Sequence, residues 1–157
     1  MNIYYAPISN GAETQTPRRI IVHAMAEKVQ FNGRYISALE LLIHTGLSAH
    51  ALVHPNGAVT RCRSDHQGAY HAKGYNDNSL GIEYLVQGAY SYEQFIQRIR
   101  APYLNDAQYA AGKKIISAWV TAYGIKDIKR HSDLDPTRKQ DPGDGFPWQR
   151  LVEELYH

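Results

Sequence analysis

The chain has 157 residues, of which 43% are hydrophobic and 20% are charged, and this composition is typical of one globular domain with a core of its own. The formal net charge of +2 is too small to indicate a nucleic-acid partner, and no apolar stretch reaches the length of a membrane span. The single cysteine, Cys62, excludes an internal disulfide and a cysteine-rich zinc site.

Residues 1–17 are polar and irregular, because Pro7, Gly11 and Pro17 interrupt any periodic pattern. We expect them to form an N-terminal arm of the same domain as residues 18–157. The arm has neither the basic start nor the apolar run of a secretion signal, so the chain is expected to be made in the cytoplasm without one.

The first predicted strand is Arg18 to Val22, and it ends at His23, whose side chain should lie at the rim of a sheet. The next stretch, residues 24–35, mixes polar residues with a glycine and exposed aromatic residues. This composition is typical of a loop that borders a cleft.

Helices and strands alternate along the rest of the chain, and capping or turn residues mark their ends. The predicted elements are a helix between Ser37 and Gly46, strands at 49–53, 58–63 and 79–86, helices at 91–100 and 105–123, a strand at 125–129 and a helix at 148–156. The Asn56-Gly57 pair joins the first two of these strands as a hairpin. The pattern predicts an α/β fold: a single domain with a central mixed β-sheet flanked by helices.

Glu83 is an acidic residue inside the apolar strand 79–86. Alternation along the strand places it on the same face as Gly81 and Leu85. An unpaired carboxylate would be costly in a buried position, so Glu83 either faces solvent or is held there for a function.

The segment 131–143 contains two good metal ligands, His131 and Asp141, and its prolines and glycine keep it from forming one continuous helix or strand. An imidazole and a carboxylate suit zinc without any cysteine. Lys139 places a cation beside the same site. A catalytic zinc needs a third protein ligand and an open position, and His23 is the best candidate. The alternative is that these loop residues cap helices or face water, which is the commoner use of such a pair.

The segment from His131 to Gly143, followed by Phe146 and Trp148, resembles the C-terminal signature of the zinc-dependent N-acetylmuramoyl-L-alanine amidases, the amidase-2 family. This family includes phage lysozyme-amidases, cytosolic anhydromuropeptide amidases and peptidoglycan recognition proteins (PGRPs). Three further segments match in the family's order: 20–23, 48–57 and 71–83. The resemblance runs from about residue 18 to the C-terminus, and it implies an amidase-2/PGRP-like fold for the catalytic domain 18–157.

The resemblance also implies roles for single residues. It places one zinc ion per chain on three ligands, which are His23, His131 and Asp141. It makes Glu83 the general base and Lys139 the residue that stabilises the developing oxyanion. Some relatives instead use a tyrosine where this chain has Ala49, so catalysis here should depend on Glu83 alone.

Other residues of the matched segments are expected to orient the site or contact the substrate. These are His50, His71 and Asn76. Tyr70 stands where the family usually carries a tryptophan, and it keeps an aromatic wall on the groove. Four histidines receive no task, namely His44, His54, His66 and His157.

The implied activity is hydrolysis of the amide bond between N-acetylmuramic acid and L-alanine in peptidoglycan. We expect a monomeric bacteriolytic phage endolysin, which reaches the cell wall after holin-mediated release. The alternatives are a cytosolic anhydromuropeptide amidase of cell-wall recycling, a non-catalytic peptidoglycan-binding module, or a zinc hydrolase for another amide or ester. Neither DNA binding nor membrane insertion is expected. Some phage members also bind host RNA polymerase, and no pattern in this sequence tests that property.

Overall fold

The described residues form a mixed β-sheet of seven strands, which helices flank. The computed structural model describes residues 1–156, so His157 lies outside the described residues. The strands are β1 Ile3–Tyr5, β2 Arg19–Phe31, β3 Arg34–Ser37, β4 Ala51–Val53, β5 Val59–Arg61, β6 Ser79–Tyr90 and β7 Asp127–Arg130. The helices are α1 Ala38–Thr45, α2 Tyr92–Arg98, α3 Asp106–Tyr123, α4 His131–Leu134 and α5 Trp148–Tyr156.

The two longest strands, β2 and β6, are parallel neighbours at the centre of the sheet. The strand order is β1-β5-β4-β6-β2-β3, and β7 pairs with the first residues of β2. The hairpins β2-β3 and β4-β5 are antiparallel, whereas β4 and β7 run parallel to their central neighbours. The sheet is therefore mixed, as predicted.

The two faces of the sheet pack against different helices. The larger core lies between one face and α2, α3 and α5, and it takes Leu80, Ile82 and Tyr84 from β6. The smaller core lies under α1 and takes Leu85 from the same strand. The alternation predicted for β6 is confirmed. Among residues 1–156, no helix combines the length and apolarity needed to cross a membrane.

The helix boundaries follow the capping residues. Ser37 accepts a hydrogen bond from the Glu40 amide at the start of α1, and Gly46 ends this helix with a φ of 72°. Ser91 forms a capping box with Gln94 at the start of α2. At the start of α3, the Asn105 side chain accepts a hydrogen bond from the Gln108 amide, and the longest predicted helix is confirmed.

The prediction of a loop over residues 24–35 was wrong. The strand β2 continues through Ala24 to Phe31, and the chain then returns through Asn32 and Gly33 into β3. Both turn residues have positive φ, 51° and 78°, which is the conformation that Asn-Gly adopts in a tight hairpin. The polar residues of β2 are tolerated because this end of the sheet is only half-buried.

The N-terminal arm contains a strand that the sequence analysis did not predict. Residues Ile3–Tyr5 form β1, which pairs in parallel with β5 at the edge of the sheet. All three side chains are exposed, so the strand leaves no alternating pattern in the sequence. Only the backbone pairing, which depends on β5, makes this segment a strand.

Arg63 ties the arm to the rest of the domain. Its guanidinium donates to the carbonyl oxygens of Ile8, Ala12 and Gly68 at 3.1, 2.7 and 2.8 Å. Arg63 and its bonds to Ile8 and Gly68 are buried, so these two carbonyl groups have little access to water as a substitute partner.

We predict that Arg63→Met lowers the free energy of unfolding by about 2–4 kcal/mol, because it leaves buried carbonyl groups without donors. Urea denaturation monitored by circular dichroism measures this change. Arg34→Met, at an exposed position on β3, is the matched control and should change stability by less than about 0.5 kcal/mol. Equal unfolding midpoints for the two variants would contradict the anchoring role of Arg63.

Candidate metal centre

Three side chains from distant parts of the chain meet at one point. His23 comes from β2, His131 follows β7 directly, and Asp141 lies in the loop after α4. The His23 Nδ1 atom lies 3.0 Å from His131 Nδ1 and 3.3 Å from Asp141 Oδ2. His131 Nδ1 lies 3.2 Å from Asp141 Oδ1. The predicted ligand set therefore forms one cluster.

The spacing of the three donor atoms fits a small tetrahedral cation. Zinc bonds of about 2.0–2.1 Å place neighbouring tetrahedral ligands about 3.3–3.4 Å apart. The three residues are buried, and their donor atoms lie too close together for a water molecule to fit between them. Two imidazole nitrogens face each other here, and they need a proton or a cation between them to avoid lone-pair repulsion.

The electrostatic state of the cluster also suits a cation. Burial lowers the pKa of His23, an effect that its hydrogen bond with Asp141 only partly opposes. Burial alone would raise the pKa of Asp141, but hydrogen bonds from His131 and His23 hold it below its usual value. At neutral pH, a neutral His23 and an ionised Asp141 are the forms that bind metals.

Glu83 lies beside the cluster and does not face solvent. The register of β2 and β6 pairs His23 with Glu83, and the Glu83 Oε1 atom lies 3.7 Å from His23 Nδ1. Glu83 is 8% exposed, and its Oε2 atom has no hydrogen-bond partner among the described residues. Burial and the charge of Asp141 raise its pKa well above the usual value, while Lys139 opposes the shift.

A cavity of about 200 Å³ opens beside these residues. Glu83, His71 and Lys139 line it together with the three clustered residues. Its remaining wall is largely apolar and aromatic and comprises Ala24, Met25, Ala26, Val29, Leu41, Leu42, Leu47, Ser48, Tyr70, Tyr90, Ser91, Tyr92, Phe95 and Ile96. The arrangement can hold a cation, a base and an ammonium group around one bound substrate.

The three predicted substrate contacts occupy different places. His71 lines the cavity, and its Nδ1 atom lies 2.8 Å from His23 Nε2. His50 is fully buried away from the cavity wall, where its Nδ1 accepts from the Gly81 amide at 3.0 Å and its Nε2 lies 2.7 Å from the Gln67 carbonyl. Asn76 Oδ1 accepts from the His71 and Ala72 amides. His50 and Asn76 therefore hold the surrounding backbone.

Most of the apolar cavity wall has no site role in the sequence analysis, including two exposed residues, Tyr92 and Leu47. Tyr92 is 60% exposed at the start of α2, and Leu47, 44% exposed, follows the end of α1. With Tyr70, they give the cavity an apolar rim. The signal available in the sequence was the aromatic Tyr92 directly after the capping residue Ser91. Sequence alone does not show that α1 and α2 border the same cavity.

Comparisons with known proteins identify the family and the fold. The family model described as N-acetylmuramoyl-L-alanine amidase matches residues 13–144. The 1,6-anhydro-N-acetylmuramyl-L-alanine amidase AmpD of Escherichia coli K12 is 26% identical over 163 residues, covering 88% of this chain and 82% of that protein.

Two solved structures show the same architecture. The endolysin N-acetylmuramoyl-L-alanine amidase LysCS from Clostridium intestinale matches with a TM-score of 0.72 and 20% identity, over 98% of this chain and 95% of that one. Drosophila peptidoglycan recognition protein SA matches with a TM-score of 0.66 and 16% identity, over 97% and 91%. The fold and site thus define an amidase-2/PGRP-like enzyme domain. The chain belongs to the N-acetylmuramoyl-L-alanine amidase family, and the predicted fold and enzyme class are confirmed.

The buried His50 predicts a specific pH dependence of stability. Burial lowers its pKa from 6.5 to about 4, so in this range the unfolded chain binds a proton that the folded chain does not. The free energy of unfolding should therefore fall as the pH falls below 6.5, at a limiting slope of about 1.4 kcal/mol per pH unit for this residue.

His50→Asn isolates this effect, because its amide oxygen can replace Nδ1 as the acceptor for Gly81 and does not titrate. Between about pH 7 and about pH 5, wild type should lose about 2 kcal/mol more stability than the variant. Urea denaturation at the two pH values measures the difference. Parallel pH profiles would show that His50 does not have this lowered pKa.

Proposed function

We propose that this enzyme hydrolyses the amide bond between N-acetylmuramic acid and L-alanine in peptidoglycan, with one zinc ion per chain. The observation that carries the proposal is the cluster of His23, His131 and Asp141, whose donor atoms lie 3.0–3.3 Å apart beside the buried Glu83. Family membership supplies the substrate class, and the mixed nitrogen and oxygen donor set supports zinc.

The three clustered side chains would hold the zinc ion, with Glu83 and Lys139 on the cavity side. A zinc ion held there would make a water molecule nucleophilic at neutral pH and would polarise the amide carbonyl. The apolar wall of the cavity would keep bulk water from the reacting groups, which strengthens the electrostatic interactions inside.

Glu83 would act as the general base and then as the general acid. Its buried, unpaired Oε2 atom is free to take the proton from the attacking water and to return it to the leaving amine. Burial and Asp141 raise the pKa of Glu83, and a group that must both accept and donate a proton near neutral pH needs such a shift.

Lys139 would stabilise the negative charge that develops on the carbonyl oxygen. Its side chain lines the same largely apolar cavity as Glu83, where its ammonium group would face the reacting carbonyl. A preorganised charge of this kind stabilises the transition state most when little water competes with it.

For the biological setting, we propose a monomeric endolysin that acts on the cell wall after release from the cytoplasm. The likeness to the endolysin LysCS extends over almost the whole chain and supports this setting at the level of the fold. The similarity to AmpD supports the alternative, a cytoplasmic enzyme that acts on soluble anhydromuropeptides.

The central experiment measures new amino termini of L-alanine released from purified peptidoglycan. We predict release by the zinc-loaded protein, loss of release after treatment with a chelator, and recovery when zinc is restored. Metal analysis should find one zinc per chain. A protein that binds peptidoglycan but releases no amino termini in any metal state would instead be a binding module.

We predict a separate loss of kcat for each residue with an assigned catalytic role. Glu83→Gln should lower kcat by about 10²- to 10⁴-fold because it removes the base. Lys139→Met should lower it by about 10²- to 10³-fold because it removes the charge that stabilises the oxyanion. Glu153→Gln and Lys126→Met, both at exposed positions away from the cavity, are the matched controls. Full activity of the Glu83 variant would show that the base is another group.

The two settings predict different substrate preferences. An endolysin should have a kcat/KM on polymeric sacculi that is at least comparable with its value on soluble anhydromuropeptides. The assay compares both substrates at equal concentrations of stem peptide. Activity confined to the soluble substrate would assign the enzyme to cell-wall recycling and reject the endolysin.

A further inference from the structure

His71 is bonded at both ring nitrogens. Its Nδ1 atom lies 2.8 Å from His23 Nε2, and its Nε2 atom lies 2.9 Å from Ser79 Oγ. The Ser79 hydroxyl in turn lies 2.7 Å from the carbonyl oxygen of Tyr75. These contacts form one chain of hydrogen bonds that leads from a proposed zinc ligand to the backbone.

Metal binding through His23 Nδ1 allows only one direction of donation along this chain. A neutral imidazole that offers Nδ1 to a cation carries its proton on Nε2, so His23 Nε2–H must donate to His71 Nδ1. His71 then carries its own proton on Nε2 and donates it to Ser79 Oγ. The Ser79 hydroxyl donates to Tyr75, whose carbonyl is an acceptor only. Each donor therefore has an acceptor, and the Ser79 hydroxyl has a second one in the Asn76 carbonyl at 3.2 Å.

The opposite direction is incompatible with a metal. If His71 donated from Nδ1, the proton of His23 would lie on its own Nδ1, where it would point at His131 and Asp141. The Ser79 hydroxyl can rotate so that it donates to His71 Nε2. The direction of all these hydrogen bonds can therefore reverse when the cation is absent. The direction of the hydrogen bonds is thus coupled to the occupancy of the metal site.

The backbone makes room for this arrangement. A Cβ atom at position 81 would lie 2.5 Å from His71 Nδ1, so only glycine lets the ring pack onto β6 at this level. The Asn76 side chain holds the His71 amide, which fixes the start of the loop that carries the ring. His71 is therefore held by packing of its ring against Gly81, by the hydrogen bond of its backbone amide and by the hydrogen bonds of both ring nitrogens.

We propose that His71 is a positioning residue, which accepts a hydrogen bond from His23 Nε2 and so keeps His23 Nδ1 available to the metal. It would act through His23 and not as a ligand. This inference rests on the zinc site of the proposed function, and of the two roles expected for His71 it takes the orienting one. Partners that bond the outer nitrogen of a ligating histidine typically contribute about 10- to 100-fold to metal affinity.

The first test is the zinc affinity of the full chain, measured by competition with a chromophoric chelator. His71→Phe keeps a ring but removes the acceptor, and we expect its affinity to fall about 10- to 100-fold. His71→Asn places an amide oxygen near the position of Nδ1, so its affinity should lie within about threefold of wild type. His66→Phe, at an exposed position, is the matched control and should bind zinc like wild type.

The second test needs no variant. In zinc-loaded wild type, long-range ¹H–¹⁵N NMR should show both His23 and His71 as Nε2–H tautomers, and their ring protons should exchange slowly with water. A merely structural role for His71 would not require this tautomer.

The outcomes separate this inference from the proposed function. Tight zinc binding by wild type with unchanged affinity in His71→Phe, or an Nδ1–H tautomer of His71, would overturn the inference and leave the amidase proposal intact. Weak binding by both His71 variants would also overturn it, because the acceptor would then not be what matters. Failure of wild type to bind zinc would overturn both proposals.

Discussion

The register of three parallel strands is the constraint on which the site depends. Because β2 pairs with β6, His23 lies level with Glu83, and because Val22 of β2 pairs with Arg130 of β7, the next residue, His131, arrives beside His23. A slip of one residue in either pairing would turn these side chains to the opposite face of the sheet. They would then face the larger apolar core, where an unpaired polar side chain is costly.

The strand β6 shows how one element serves both stability and chemistry. On one face, Leu80, Ile82 and Tyr84 fill the larger core. On the other face, Gly81 leaves space for the His71 ring and Glu83 lies beside the candidate metal-binding cluster. Alternation in the strand keeps the larger core on the face opposite Gly81 and Glu83, and only Leu85, further along, contributes to the smaller core from their face.

The site combines rigid strands with a loop. The strands β2 and β6 position His23 and Glu83, the two residues whose relative placement must be most exact. Asp141 and Lys139 come instead from the irregular segment after α4. The Asp141 carboxylate also accepts a hydrogen bond from the Ala24 amide at 3.3 Å, which ties this loop back to β2. Buried polar groups of this kind reduce stability unless they are paired, and such groups concentrate at functional sites.

The amino-acid sequence by itself determined most helices, the β4-β5 hairpin and the apolar alternation of β6, because capping residues, turn residues and hydrophobic periodicity act over a few neighbouring positions. The family motifs also identified the ligand candidates. Only the tertiary structure decided the rest. It extended β2 through a polar stretch and made a strand of the exposed segment Ile3–Tyr5, because partner strands supply hydrogen bonds that no local pattern records. It likewise separated His71, which bonds to His23, from His50, which supports the backbone, because burial and hydrogen-bond partners depend on residues far apart in the chain.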